Sequence, residues 1–236
     1  MQEKTKIVNI LNDGIGYLEL VDIMPANSSA DLAIVDSARA SYNSSSTGTE
    51  KDYKLIKRLL EDKHTSPFEQ VVFKFFLKAP LIVWWQQIRH RTGSYSLSSG
   101  RYTEYSDDEY YIPSKWRLQA KHNKQASEGY IDSLTGFHLT NDLIDHIRTS
   151  VRLYNKALNA GVAREQARFY LPAFLCYHTG IFKMDLHNLL HYLSLRTAND
   201  AQWEIRQYAL GIEKIVSEYC PITFSYWKEL QEKQKQ

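Results

Sequence analysis

The stretch Leu81-Ile82-Val83-Trp84-Trp85-Gln86-Gln87-Ile88-Arg89-His90-Arg91-Thr92-Gly93 decides how this chain is read. Pro80 precedes it at a favoured helix-opening position, and Gly93 supplies a stop. The pattern predicts a helix from Pro80 to about His90 or Arg91, ending in three cationic or cation-capable side chains. Consecutive helical residues are turned by roughly 100°. Gln86 and Arg89 therefore share one face, His90 and Arg91 look elsewhere, and one helix end can serve two ligands. The helix dipole alone would also favour cations there. The sequel narrows the choice. Ser94-Tyr95-Ser96-Leu97-Ser98-Ser99-Gly100-Arg101-Tyr102 is rich in hydroxyls and sets a glycine beside another arginine. Guanidinium forks match phosphate oxygens, and a small residue lets the backbone approach a phosphate closely. Taken alone, Ser99-Gly100-Arg101 is an ordinary turn.

Upstream, Lys6 to Asn12 and Ile15 to Met24 predict two strands, with a hairpin signal at Asn12-Asp13-Gly14. Asn27-Ser28-Ser29 offers a cap for a helix from about Ala30 to Ser41, and Ser44 to Gly48 is a polar linker. Tyr53, Leu55, Ile56, Leu59 and Leu60 give Glu50 to Asp62 an amphipathic helical spacing. Phe68 to Leu77, aromatic and β-branched, predicts a strand. Downstream, Ser94 to Pro113 reads as loop and short strand with acids at Glu104, Asp107, Asp108 and Glu109. Helices are predicted over Asn141 to Ala160, Ala163 to Tyr170, from an Asp185 cap to Arg196, and over Asp200 to Tyr219. Phe174 to Met184 reads as a strand, or as a hairpin turning at Thr179-Gly180. Helices segregated from a few strands favour an α+β fold over a doubly wound parallel sheet. One domain over residues 1–225 is expected, with a polar, frayed tail over 226–236.

Composition bounds the function. With 236 residues and 43% hydrophobic content, the chain can bury a substantial core. A formal net charge of +2 is too small for a general nucleic-acid or membrane binder, so anion binding has to be local. The two cysteines, Cys176 and Cys220, form no disulfide framework or CxxC pair. The N-terminal residues lack the apolar core of a signal peptide, and no apolar run reaches the roughly 20 residues of a bilayer span. A cytoplasmic protein without membrane or nucleic-acid partners is the expectation.

Other polar groups are candidates for chemistry. His64-Thr65-Ser66-Pro67-Phe68-Glu69 places an imidazole and a carboxylate around a turn, able to orient a ring or move protons, or simply to cap the turn. Arg164 and Arg168 share a helix face beside Glu165 and read equally well as a surface ion-pair set. Arg196 follows apolar Leu193 and Leu195, so a partly buried guanidinium there needs an anionic or carbonyl partner. His187 and His191 have the spacing of metal ligands on a helix. Asn188, however, stands where a zinc protease needs its glutamate, and no third ligand is evident. Neither cysteine has a neighbouring charge that would activate it. A nucleic-acid module using the basic loop and the 16 tyrosines, or a hydrolase built on the two histidines, would be the competing functions.

Arg89-His90-Arg91, seven residues, then Ser99 with Gly100, Arg101 and Tyr102, resembles the signature of the flavin-dependent thymidylate synthases. The flanks agree: Ala38-Arg39-Ala40-Ser41, His64 to Glu69, Gln86, Arg164 to Pro172, Leu195-Arg196, and Ala201-Gln202-Trp203-Glu204-Ile205. The resemblance covers roughly Ala30 to Phe224. It implies an α+β fold with a mixed sheet and long helices, assembled as a homotetramer with sites at subunit interfaces. It implies reductive methylation of dUMP to dTMP, with carbon from methylenetetrahydrofolate, hydride from FAD, NADPH as the reductant, and no cysteine nucleophile. Carried over by position, Gln86, Arg89, Ser99, Gly100, Arg101 and Arg168 hold dUMP, and Arg196 polarises the uracil. Ser41, His64, Ser66, Glu69, Arg89, His90, Arg91, Asp185, His187 and His191 surround FAD. Arg196, Ser99 and His64 are the expected catalytic residues, and His64 and Glu69 also order water or folate. Two departures stand out. Ser96 and Leu97 replace an Asn and an acid or amide common in the signature loop, which passes a nucleotide contact to backbone groups. Asp200 replaces a frequent histidine and puts a carboxylate near the anionic ligands.

Overall fold

The computed structural model of the chain describes residues 6–26, 29–105 and 109–233. In order these form β1 (Lys6–Val8), β2 (Tyr17–Met24), α1 (Ala30–Arg39), α2 (Glu50–Glu61), β3 (Val72–Pro80), α3 (Leu81–Gln87), β4 (Ser94–Leu97), β5 (Arg117–Gln119), β6 (Ser127–Tyr130), α4 (Ser133–Asn159), α5 (Arg164–Ala167), β7 (Tyr177–Asp185), α6 (Leu186–Arg196), α7 (Trp203–Tyr219) and α8 (Pro221–Lys233). The expected cap residues Asn27 and Ser28, the acids Asp107 and Asp108, and the N-terminal residues 1–5 lie outside the described residues.

The fold is α+β, but its main sheet is antiparallel throughout rather than mixed. The strand order is β1-β2-β3-β7-β4, and every neighbouring pair is antiparallel. β3 and β4 do point the same way. They are kept from pairing because β7 inserts between them, so no parallel ladder forms. Alternation along β3 buries Phe73, Phe75, Leu77 and Ala79 completely. They join one core with Leu186, Leu189 and Leu193 of α6 and Ile205, Tyr208 and Ile212 of α7. Burying each large side chain contributes about 2 kcal/mol before the cost of ordering it. A second, smaller cluster gathers Ile147, Val151 and Tyr154 of α4 with Tyr110, Ala167, Leu171 and Cys176. No helix among the described residues is long and apolar enough to cross a membrane.

Local chemistry explains where the elements depart from the periodicity. The strand expected from Phe68 begins at Val72, because Phe68–Gln70 close a 3-10 turn with Phe68 N–H donating to Thr65 C=O at 2.9 Å. β7 is one straight strand, not a hairpin. Gly180 sits mid-strand because a Cβ there would lie 2.9 Å from both the Trp84 ring and the Ser96 carbonyl. α3 stops at Gln87 rather than at His90 or Arg91. Past Gln87 the chain tightens into turns, with His90 N–H donating to the Gln87 carbonyl at 3.1 Å and Gly93 N–H to the His90 carbonyl at 3.0 Å, and the Tyr95 hydroxyl, reaching back from β4, lies 3.0 and 2.8 Å from the same two oxygens. α4 starts at Ser133 instead of Asn141, capped by Asp132, whose carboxylate accepts from Thr135 N–H at 2.9 Å. The β5–β6 hairpin was not foreseen. The C-terminal segment is helical to Lys233 rather than frayed, held by buried Trp227 and an ion pair from Lys228 to Glu213.

Candidate active site

The turn after α3 meets the last turn of α6. Arg196 Nε donates to His90 Nε2 at 2.9 Å, and its guanidinium reaches Gln86 Oε1 at 3.4 Å. His90 can accept that hydrogen bond only as a neutral ring with its proton on Nδ1. Its environment enforces this. Burial, then the charge of Arg196, then His191 lower its pKa from 6.5 to about 4. The ring packs edge-on against Tyr192 at 4.8 Å between centroids. Arg196 is half-buried, and that burial, with Arg89 nearby, lowers its own pKa. Among the described residues no carboxylate pairs with it. Its positive charge therefore faces an imidazole and an amide, both neutral, and stays available to an anion.

The polar contacts continue away from Arg196. Gln86 Nε2 donates to Gln202 Oε1 at 2.6 Å, and Gln202 Nε2 donates to Glu204 Oε2 at 2.9 Å. Glu204, buried in the first turn of α7, accepts from Gln202 on one side and from Arg117 and Tyr111 on the other. Arg117 Nη2 of β5 reaches its two oxygens at 2.8 and 3.0 Å, and the Tyr111 hydroxyl lies at 3.1 Å. Burial alone would raise the Glu204 pKa. Hydrogen bonds from Arg117 and Gln202 outweigh it and leave the group below its ordinary value.

The second arginine group is built differently. Ser99 opens a turn, its carbonyl accepting from Tyr102 N–H at 3.0 Å. Arg101 pairs with Glu165 at 3.4 Å, and Arg164 pairs with Glu104 at 3.0 Å. Arg168 Nε donates to the Glu165 carbonyl at 3.3 Å. Gly100 is needed against Tyr105, whose ring would lie 2.3 Å from a Cβ. Beside them a cavity of about 430 Å³ is lined by Leu97, Ser98, Tyr105, Arg168 and His178. Leu97 thus supplies an apolar wall where the resemblance expects a polar side chain. Among the described residues no hydrogen bond or ion pair joins this group to Arg196 within one chain.

The third expected group lies along an exposed edge. Ser41 follows α1, while His64, Ser66 and Glu69 surround the 68–70 turn, which packs against α1 and α6. Glu69 accepts from the Thr65 hydroxyl at 3.0 Å. His191 is exposed and His187 half-buried on α6, near His90, and Arg89 and Arg91 are exposed. Asp185 caps α6, accepting from Asn188 N–H at 3.0 Å and Nδ2 at 2.7 Å. Its carboxylate therefore already has a structural task. Asp200 is exposed. Among the described residues no three His, Cys, Asp or Glu side chains gather as metal ligands, so His187 and His191 find no third partner.

Sequence reasoning assigned no role to Gln202, Glu204, Arg117 or Tyr111. An acid between Trp203 and Ile205 was a usable signal, since a carboxylate on a buried helix face needs a cation. The identity of that cation, Arg117, had no local signal. The thiols are where the sequence puts them, in apolar surroundings. Burial raises Cys176 to about 11 and pushes Cys220 well above the usual thiol range, so neither is a ready thiolate.

The family described as thymidylate synthase complementing protein matches residues 19–222. The flavin-dependent thymidylate synthase of Thermus thermophilus is 45% identical over 214 residues, 91% of this chain and 76% of that protein. That of Kosmotoga olearia is 39% identical over 212 residues, 89% of this chain and 88% of its own length. A solved UMP/dUMP methylase, PolB from Streptomyces cacaoi, bound with 5-Br UMP, superposes with a TM-score of 0.80 at 28% identity, covering 91% of this chain and 94% of that one.

Proposed function

The chain belongs to the flavin-dependent thymidylate synthase family, and from that premise we propose that the Gln86–His90–Arg196 centre is where dUMP is methylated to dTMP. The half-buried guanidinium of Arg196, held by two neutral partners, carries this reading. Placed beside a uracil ring, it stabilises negative charge at N3 and the neighbouring carbonyl and makes C5 more nucleophilic. His90 and Gln86 fix its direction without neutralising it.

Arg101, Arg168, the Ser99 hydroxyl and the backbone at Gly100 hold the nucleotide phosphate, with Arg89, near Arg196, as a further donor. Arg101 exchanges Glu165 for phosphate. That pair is more than half exposed on both sides, so breaking it costs less than about 1 kcal/mol. The exposed donors fit FAD: Arg89 and Arg91 suit a pyrophosphate, while Ser41, Ser66, His187 and His191 offer polar contacts to its rings and sugar. His64 and Glu69 border the same edge and order folate or water there. When bound, reduced FAD supplies the hydride that completes the methyl group delivered from methylenetetrahydrofolate, with NADPH as the source of electrons. No thiol takes part. A single chain leaves this edge open and exposes Trp85, Phe169 and Phe174 at 53%, 79% and 53%. These observations support a homotetramer in which neighbouring chains close the sites.

The test is direct. The purified protein with FAD, NADPH, methylenetetrahydrofolate and dUMP is expected to show a flavin spectrum and to form dTMP. A preparation that binds no flavin and forms no dTMP overturns the proposal, as does failure to relieve thymidine dependence in a strain lacking its own synthase.

A further inference from the structure

We propose that Glu204 is a positioning residue for this reaction, acting through Gln202 and Gln86 on Arg196. The inference rests on the function proposed above. It goes beyond it because Glu204 touches none of the residues expected to contact a ligand except through Gln202.

The reasoning turns on hydrogen-bond direction. A primary amide presents an acceptor at one end and donors at the other, and either orientation fits the same space. An isolated Gln86 is therefore free to show Arg196 its oxygen or its NH₂. Only the oxygen is compatible with a guanidinium, which has no acceptor. Something must choose the orientation. Glu204 is ionised, doubly bonded by Arg117 and further bonded by Tyr111. It can only accept. Gln202 must therefore turn its NH₂ toward Glu204, at 2.9 Å, which leaves its oxygen for Gln86. Gln86 must then turn its NH₂ toward Gln202, at 2.6 Å, which leaves its oxygen for Arg196 at 3.4 Å. The polarity of two amides is set by one buried carboxylate, and that carboxylate is held on the far side by a cation from β5.

Neutralising Glu204 removes the choice. An amide at position 204 can donate to Gln202, and both glutamines can then reverse together. The Gln86 NH₂ would face the Arg196 guanidinium, donor against donor, and Arg196 would turn away from the ring position. Turnover falls through the orientation of Arg196, while Arg89, Arg91, His187 and His191, which take no part in the Gln86–Gln202–Glu204 hydrogen bonds, still hold the flavin.

The experiment compares wild type, Glu204→Gln, Gln202→Met and the double variant, each loaded with FAD. Wild type must first form dTMP; if it does not, the function proposed above fails and this inference is withdrawn with it. Given an active wild type, each single variant is expected to lower kcat roughly tenfold or more, with the flavin spectrum retained. The double variant is expected to be no slower than the slower single, because both substitutions cut the same relay. Single variants within about twofold of wild-type kcat overturn the inference. Effects that multiply in the double variant also overturn it, since they would mean that Glu204 supports the fold independently of Gln202. If Glu204→Gln melts below the assay temperature, Gln202→Met decides: it leaves the Arg117–Glu204–Tyr111 cluster intact. Unchanged melting with a tenfold lower kcat then supports the relay, and wild-type kcat refutes it.

Discussion

Arg101 and Arg164 each face a carboxylate of their own chain, whereas Arg196 faces an imidazole and an amide. On the reading proposed above, the two regions keep an arginine ready for an anion in two ways. On the exposed loop the charge is parked on a glutamate, in water, where exchange for a ligand is cheap. In the half-buried centre a carboxylate would hold the guanidinium too firmly, and its partners are kept neutral instead. Glu204 illustrates the alternative. It too is buried, but its charge is fully engaged by Arg117, so it influences the centre only through the direction of amides.

The contrast can be broken by substitution. Arg196→Ala removes a guanidinium that no carboxylate of the described residues compensates, and we expect turnover to fall by about 10²–10³-fold while the flavin spectrum persists; wild-type turnover would remove Arg196 from the mechanism. Arg101→Ala should act on binding instead, raising the KM for dUMP by about 10–100-fold, as the loss of a charge-assisted phosphate contact does. If kcat falls and KM holds, the division of labour between the two regions is wrong.

Neutral partners also leave a signature in pH. His90 has its pKa lowered to about 4 in the folded protein, against an ordinary 6.5. Between those values the unfolded chain takes up a proton that the folded chain refuses. The stability present above about pH 6.5 should therefore decline as pH falls toward about 4, then level off. Thermal melts of the ligand-free protein across that window measure it. His90→Gln should flatten the decline, and an unaltered slope would assign it to other groups. On the loop side, Glu165→Gln frees Arg101 and should lower the KM for dUMP by no more than about fivefold, since exposed pairs are weak. The smallest expected effect is none: Cys176→Ala with Cys220→Ala should leave turnover within about twofold of wild type, and complete loss in a folded protein would point to thiol chemistry.

Much of this was legible before folding. The apolar spacing of Glu50 to Asp62 placed α2 within a residue of its bounds, because that helix buries one stripe against the core. Asp185 announced its helix, since a carboxylate at that position satisfies open backbone donors. The readings that failed share a cause: a side chain distant in sequence took over a local role. Tyr95 added its hydroxyl to the turns that follow α3, which ends before Gly93 is reached. Trp84 claimed the space over Gly180 and decided for a strand where the sequence left a strand or a hairpin open. The adjacent tryptophans, alike in sequence, part company in three dimensions, with Trp84 buried at 1% and Trp85 exposed at 53%.

By itself, then, the sequence determined which residue types are present for the phosphate, flavin and uracil contacts proposed above, and that both thiols lie in apolar surroundings. Those properties reside in single side chains and their near neighbours. Tertiary structure alone decided that His90 is neutral, that Arg196 lacks a carboxylate, and that Glu204 meets Arg117 across 87 positions of chain. Protonation and hydrogen-bond direction depend on solvent exclusion and on partners that only folding brings within 3 Å.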